Sequence, residues 1–304
     1  MRAPWAEGDV DLGPVRVLVG DRGGRYPDGN SLLIRGREET VLVDPSLSVA
    51  ERVPELAPQV DRLIHSHVHE DHLAGSFGFP DVPWHAHSAD VVGFRSLDDM
   101  MAIYGYPEPI ASAFRKTVVE RYHYVPRPDA IAFEDGDRFD LGGVRICVLH
   151  TPGHTRGHSA LFVEPDDLLY LGDIDLSSFG PYYGDAWSDL EDFERSLDRV
   201  RQIEARGYAT FHHIGVLQDR SAFLARLDRF RAVIADREQR LLAYLSEPRT
   251  LDEIAAHRFV YRPGDPVPFA YAVEARSMSQ HLARLERQGR VCRGERGSWR
   301  AVRG

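Results

Sequence analysis

The sequence predicts an α/β protein in two parts, a large body over residues 1–235 and a small helical unit over 236–304. Three observations lead there. Short apolar runs of strand length recur between segments of helical period through the first 235 residues. One of those runs leads directly into a stretch of histidine and carboxylate. The charge balance also changes sign near Asp236. From there to the end stand 13 Arg against 9 acidic residues, so a chain with a net charge of −10 carries −14 in its body and +4 in its tail. With 304 residues, 43% of them hydrophobic and 28% charged, the chain has ordinary soluble composition and length for about two domains. An acidic body repels polyanions at long range.

Val15 to Val19 alternates as a strand. Asp28-Gly29-Asn30 is turn chemistry, and Ser31–Ile34 with Thr40–Val43 reads as a hairpin-like pair of buried strands. Ser48 caps a helix through Leu56, which Pro58 ends. Val60–Ile64 is the strand that delivers His65-Ser66-His67-Val68-His69-Glu70-Asp71-His72 to a loop. Four imidazoles and two carboxylates are poor core material, because buried ionisable groups need a partner or a metal. Alternation sends His67 and His69 to one side, with Asp71 and His72 on the following turn. Imidazole with carboxylate is the ligand set of zinc or another borderline divalent cation. A His-rich surface tract with only adventitious affinity is the alternative.

Pro83 to His87 is a further strand, and Ser88 caps Ala89 to Phe94. Residues 95–128 break the rhythm with two helices, Leu97–Tyr104 and Ile110–Tyr122, rich in Met, Phe and Tyr. They read as a pair covering a sheet face, or as a lid over the metal loop. Strands return from Ile131 to Leu149, and Leu168–Leu171 is a buried one ending in Gly172-Asp173. Ser188 and Glu191 form a capping box for a helix with apolar Leu190, Phe193, Leu197, Val200 and Ile203, stopped by Gly207. Tyr208–Phe211 follows as a strand and ends in His212-His213.

In the tail, Phe223 to Leu245 keeps a helical period and Thr250 with Glu253 forms a capping box. A helix opens at Ser277, and two short strands about Gly294 make a hairpin. Helix, helix and basic hairpin form a winged-helix pattern. Arg284, Arg287, Arg290, Arg293, Arg296, Arg300 and Arg303 against two Glu keep nucleic-acid contact open beside packing or homodimer formation, which is preferred. Met1 to Val10 has no apolar run, so no secretory leader is expected, and no stretch approaches the roughly 20 apolar residues of a membrane span. Cys147 and Cys292 suggest no disulfide framework, which fits a reducing cytoplasm.

The pattern Ser66-His67-x-His69-x-Asp71-His72-x-x-Gly75 resembles the signature of the metallo-β-lactamase-fold hydrolases. The resemblance implies a four-layer αβ/βα sandwich with a one- or two-metal site at the sheet edge. Its tail resembles the small winged helix of one branch, of glyoxalase II, lactonase and β-lactamase-like protein 2 type, which includes an RNA-cleaving member. Carried over residue by residue, it implies that His67, His69 and His154 hold one metal and Asp71, His72 and His213 the other, with Asp173 between them. His212 stays open as the last ligand, since the usual Gly-His-Gly reads here as His-His-Ile-Gly. Asp44 matches an early carboxylate of the family, or simply starts a turn before Pro45. His85, His87, His150 and His158 are supporting or structural residues, and the loop bearing Tyr182 and Tyr183 faces the substrate.

Two divalent ions, zinc by preference with manganese or iron as alternatives, would make hydroxide available near neutral pH. Asp71 then holds the nucleophile and passes its proton to the leaving group. The expected substrate is a small ester, thioester or lactone. An RNA phosphodiesterase is the second reading and a DNA-binding sensor the third.

Overall fold

The computed structural model describes residues 8–302. Residues 1–7, which carry most of the leader reading, and Arg303 lie outside the described residues. The first sheet runs in sequence order through β1 (Val10–Leu12), β2 (Val15–Leu18), β3 (Ser31–Arg35), β4 (Thr40–Val43), β5 (Arg62–Ile64), β6 (Trp84–His87) and β7 (Ile131–Phe133). The second comprises β8 (Arg138–Asp140), β9 (Arg145–His150), β10 (Ser159–Glu164), β11 (Leu168–Tyr170), β12 (Gly207–Ala209) and β13 (Val216–Leu217), ordered from β13 at one edge to β8 at the other. A separate hairpin pairs β14 (Val291–Arg293) with β15 (Trp299–Ala301).

Strand alternation explains the layering. Leu32, Ile34, Val41 and Val43 face one way and meet Ile146, Val148, Leu161 and Val163 of the second sheet in a buried layer. Leu33, Leu42 and Leu63 face the other way, under a helical layer. That layer includes α2 (Leu47–Glu51), α3 (Val53–Leu56), α4 (Val91–Arg95), α5 (Leu97–Tyr104) and α6 (Ile110–Glu120); a single turn, α1 (Asp21–Gly24), precedes them. On the outer face of the second sheet, Leu169, Leu171 and Tyr208 pack against Phe193 and Leu197 of α7 (Leu190–Gln202) and Phe223 and Phe230 of α8 (Arg220–Tyr244). Helix, sheet, sheet and helix make the expected αβ/βα sandwich. Among the described residues no helix is long and apolar enough to cross a membrane.

The tail adds α9 (Leu251–His257) and α10 (Ala270–Arg287), whose Ile254, Met278, Leu282 and Leu285 join Leu241 of α8 and Leu245 just after it in a fourth core. Three local expectations are corrected. Asp189, not Ser188, caps α7, its carboxylate accepting from Asp192 N. The last helix opens at Ala270, so Ser277 is buried in its middle, where the apolar face made by Ala272 and Val273 had gone unread. The segment from Ser48 to Leu56 is two short helices broken at Arg52, ahead of Pro54. The capping box at Thr250 and Glu253 is present as read. α8 runs unbroken across the expected boundary at 235, feeding Ile234 to one core and Leu241 to the other.

Candidate metal centre

Five chain segments converge beyond the strand ends. β5 carries the loop with His67, His69, Asp71 and His72, all buried. The turn between β9 and β10 brings His154. Buried Asp90 fixes that turn by accepting from Thr155 Oγ1 at 2.6 Å and Gly157 N at 2.7 Å. Asp173 follows β11 through Gly172, whose φ is +52°. A Cβ there would lie 2.7 Å from His158 Nε2, so this close approach needs glycine. His212 follows β12, and the loop after Asp173 supplies Tyr182 and Asp185.

The ligand-type atoms form two groups, His67, His69, His154 and Asp173 in one and Asp71, His72 and His212 in the other, each group within 4.8 Å. Asp173 lies between them, with Oδ1 3.0 Å from His72 Nε2 and Oδ2 3.2 Å from His154 Nε2. His212 Nε2 is 3.0 Å from Asp71 Oδ2.

The geometry thus brings His212, rather than the expected His213, beside Asp71 and His72. His213 takes a left-handed φ of +58° and its side chain is exposed at the pocket rim. Thr210 bonds across this turn to His212 O and Gly215 N. The turn thus holds one more residue before β13 than an alignment on Val216-Leu217 allows. Tyr183 does not line the pocket as expected. It is 1% exposed, with its hydroxyl against His281 Nε2 at 2.8 Å and Arg237 Nη1 at 3.0 Å, and so belongs to the contact with the tail. Tyr182 does line the pocket.

Outer partners orient the imidazoles. His72 Nδ1 meets Asp44 Oδ2 at 2.9 Å, His154 Nδ1 meets Tyr182 O at 3.0 Å, and His212 Nδ1 meets Gly24 O at 3.0 Å. Such contacts set the tautomer so that each Nε2 lone pair points inward. Asp44, fully buried, also accepts from Ser66 N, Ser66 Oγ and the Tyr170 hydroxyl at 2.7, 2.5 and 2.7 Å. Burial opposes its charge, but His72 and Ser66 hold its carboxyl below the usual range. His158 spends Nδ1 on Thr151 O and accepts from Asp173 N with Nε2 at 3.1 Å, a supporting position. Asp44→Ala would strip four buried groups of their acceptor, so we expect a loss of at least about 3 kcal/mol, at about 1–3 kcal/mol per unsatisfied group. Urea denaturation of the metal-free protein measures it.

The residues fit a divalent cation. His67 Nε2, His69 Nε2, His154 Nε2 and Asp185 Oδ2 are buried and lack a hydrogen-bond partner among the described residues. His69 Nε2 approaches Asp185 Oδ2 to 3.1 Å, but out of line for a hydrogen bond. Leaving four such atoms orphaned is costly unless something else meets them. Burial, helped by His72, His69 and His154, holds His67 well below its ordinary value and therefore neutral, as a ligand must be. His212 goes the other way. Burial lowers it, yet Asp173 and Asp71 more than offset this and raise it to about 9. Burial likewise opposes the charge of Asp173, but His72 and His212 hold it well below the carboxylate range. Burial and Asp71 push Glu70 up to about 7. This surplus of carboxylate draws positive charge, and a metal ion can replace the protons on His72 and His212.

Above the cluster lies a pocket of about 400 Å³. Tyr26, Tyr104, Tyr106, Phe114, Phe179 and Tyr182 line it, together with Tyr261, Val267 and Phe269 from the tail. Tyrosine tips are spent on carboxylates: Tyr104 on Glu70, and Tyr106 and Tyr182 on Asp185 Oδ1 at 3.2 and 3.0 Å. The rings therefore present an apolar wall. Within the insert, Tyr104 and Phe114 belong to the helical core and also to this wall. Tyr26, Tyr261 and Phe269 went unread as pocket residues. They sit in loops without periodicity, and nothing local in the sequence marks them.

The model of the Metallo-beta-lactamase superfamily matches residues 25–229. A hydroxyacylglutathione hydrolase of Methylococcus capsulatus is 27% identical over 241 residues, covering 76% of this chain and 80% of its own. The acyl-coenzyme A thioesterase MBLAC2 of Homo sapiens is 23% identical over 204 residues, 60% of this chain and 71% of its own. A metallo-beta-lactamase family protein of Thermus thermophilus superposes with a TM-score of 0.71 at 27% identity, over 96% of this chain and 99% of that one. A beta-lactamase domain protein of Burkholderia ambifaria, at 20% identity and a TM-score of 0.69, covers 99% and 95% and shares the fold.

Proposed function

The chain belongs to the metallo-beta-lactamase superfamily and is a hydrolase of that group, and from that premise we propose that it cleaves thioesters at a binuclear zinc centre. The observation that carries the proposal is the set of orphaned imidazole nitrogens converging with Asp173 beneath an aromatic pocket. Relatives named as a hydroxyacylglutathione hydrolase and an acyl-coenzyme A thioesterase support the thioester bond as the target. We assign one metal to His67, His69 and His154, the other to Asp71, His72 and His212, and Asp173 to both.

When bound, such a cation pair supplies Lewis acidity at the scissile carbonyl and makes water acidic enough to attack at neutral pH. The aromatic wall holds the acyl chain and keeps bulk water away. We assign Asp71 the proton of the attacking water, which it returns to the departing sulfur. A thiol ionises near pH 8.5, so this leaving group asks for little acid assistance. The nucleic-acid reading receives less support. Arg284 is engaged by Glu194 and Glu238, and Arg287 by Glu191, so this face of α10 turns toward the body.

We expect chelation to abolish hydrolysis of acyl thioesters and zinc to restore it. kcat/KM should rise about fourfold per acyl methylene until the pocket is full, from about 0.8 kcal/mol per buried CH2. A discontinuous thiol-release assay over an acyl series measures both. Turnover of RNA or lactones with thioesters inert would overturn the assignment.

A further inference from the structure

Beside the catalytic pocket lies a second cleft of about 580 Å³, sharing Phe179 and Tyr261 with it and formed between α8 and the loop that follows α9. Its charged lining is Arg229, Arg237, Arg240 and Arg262 against Asp236 and Asp265. Two positive charges are left over, where the basic tail meets the strongly acidic body. The guanidinium groups differ in what they already do. Arg237 is 1% exposed and donates to Pro181 O and Phe179 O at 2.5 and 2.8 Å, yet its buried Nε has no hydrogen-bond partner among the described residues. Arg240 is held by Asp236 and by Phe259 O. Arg229 and Arg262 are exposed; Arg229 spends Nε on Ala225 O and keeps its terminal nitrogens for other partners.

We propose that this cleft is an anion subsite for the thiol half of the substrate, and that the anion is phosphate on an extended thiol carrier. The proposal rests on the thioester reading of the catalytic pocket and names its substrate class. Guanidinium forks match phosphate oxygens in bidentate fashion. A phosphate carries up to two charges at neutral pH, equal to the surplus in the cleft, whereas a carboxylate carries one. The volume also exceeds what a terminal carboxylate fills, and suits a nucleotide-sized group. Phe179 and Tyr261 stand between the two cavities, so a carrier arm can pass along them, with its thioester over the metal ligands and its phosphates among the arginines. The acidic body repels such a ligand at long range, which favours capture at this basic inlet beside the catalytic pocket.

The test compares one acyl group on coenzyme A, on pantetheine without phosphates, and on glutathione, using the full-length metal-loaded protein. The coenzyme A thioester should exceed the pantetheine thioester in kcat/KM by about tenfold or more, chiefly through KM, and the advantage should shrink with salt. The double variant Arg229→Glu, Arg262→Glu should collapse that ratio toward one. Equal kcat/KM for the two substrates, or a ratio that the double variant leaves intact, would overturn the proposal. Preference for the glutathione thioester, lost in the double variant, would also overturn it, by making the anion a carboxylate. Binding of adenosine 3′,5′-bisphosphate by calorimetry is read independently of turnover. If no thioester is cleaved but this probe binds the wild type and not the double variant, the thioester reading fails and the phosphate subsite stands. If it does not bind, the subsite fails.

Discussion

Asp173→Ala should reduce the metal content from about two ions per chain to one or fewer, and lower kcat/KM by well over about 100-fold. Loss of an outer-sphere partner alone typically costs roughly 10–100-fold, and the proposed centre sets Asp173 within the sphere itself. Its two oxygens reach opposite groups, Oδ1 toward His72 at 3.0 Å and Oδ2 toward His154 at 3.2 Å. Asp173→Asn would keep the shape but present one neutral oxygen where two charged ones are needed. Elemental analysis with parallel kinetics reads the outcome, and the circular dichroism of the metal-free variant controls for misfolding. A variant with two metals and undiminished turnover would remove Asp173 from the centre. One iron with no second metal in the wild type would point to a mononuclear oxygenase.

His212→Ala should behave almost as severely, while His213→Ala should change kcat/KM by less than about tenfold. His212 Nε2 lies 3.0 Å from Asp71 and 3.7 Å from Asp173, with its other nitrogen fixed on Gly24 O. His213 points to the rim from a left-handed turn. Zinc titration of the two metal-free variants separates them: the first should lose the weaker binding step and the second should keep it. The reverse ranking would restore the alignment that places the ligand at 213.

The sandwich was legible because each strand announces its two faces by alternation, as Leu32, Leu33 and Ile34 do. The loop from His67 to His72 was legible because so many ionisable groups have few structural excuses for being adjacent. His212 could not be told from its neighbour, since a single residue in a turn reverses which side chain points inward and no local pattern records it. Tyr183 looked like a pocket residue because its true neighbours, Arg237 and His281, are about 55 and 100 residues away in the chain. The same holds for Tyr261 and Phe269, whose place above the metal cluster depends wholly on how the tail docks.

The shape of the docked loop depends on Glu274. Fully buried on α10, its carboxylate accepts from the backbone nitrogens of Phe259, Val260 and Tyr261 at 2.8, 2.9 and 2.8 Å. One anion therefore clasps the loop that walls both cavities, while α8 runs through the cores on either side. The tail behaves as a cork tied to the bottle, and cutting the chain near 235 would leave an open vessel rather than a minimal enzyme. In evolutionary terms, the loop from 258 to 269 can change its residues and retune the entrance, provided the clasp survives. Related chains with different thiol partners would then diverge at this loop first, and least at the histidines beneath it.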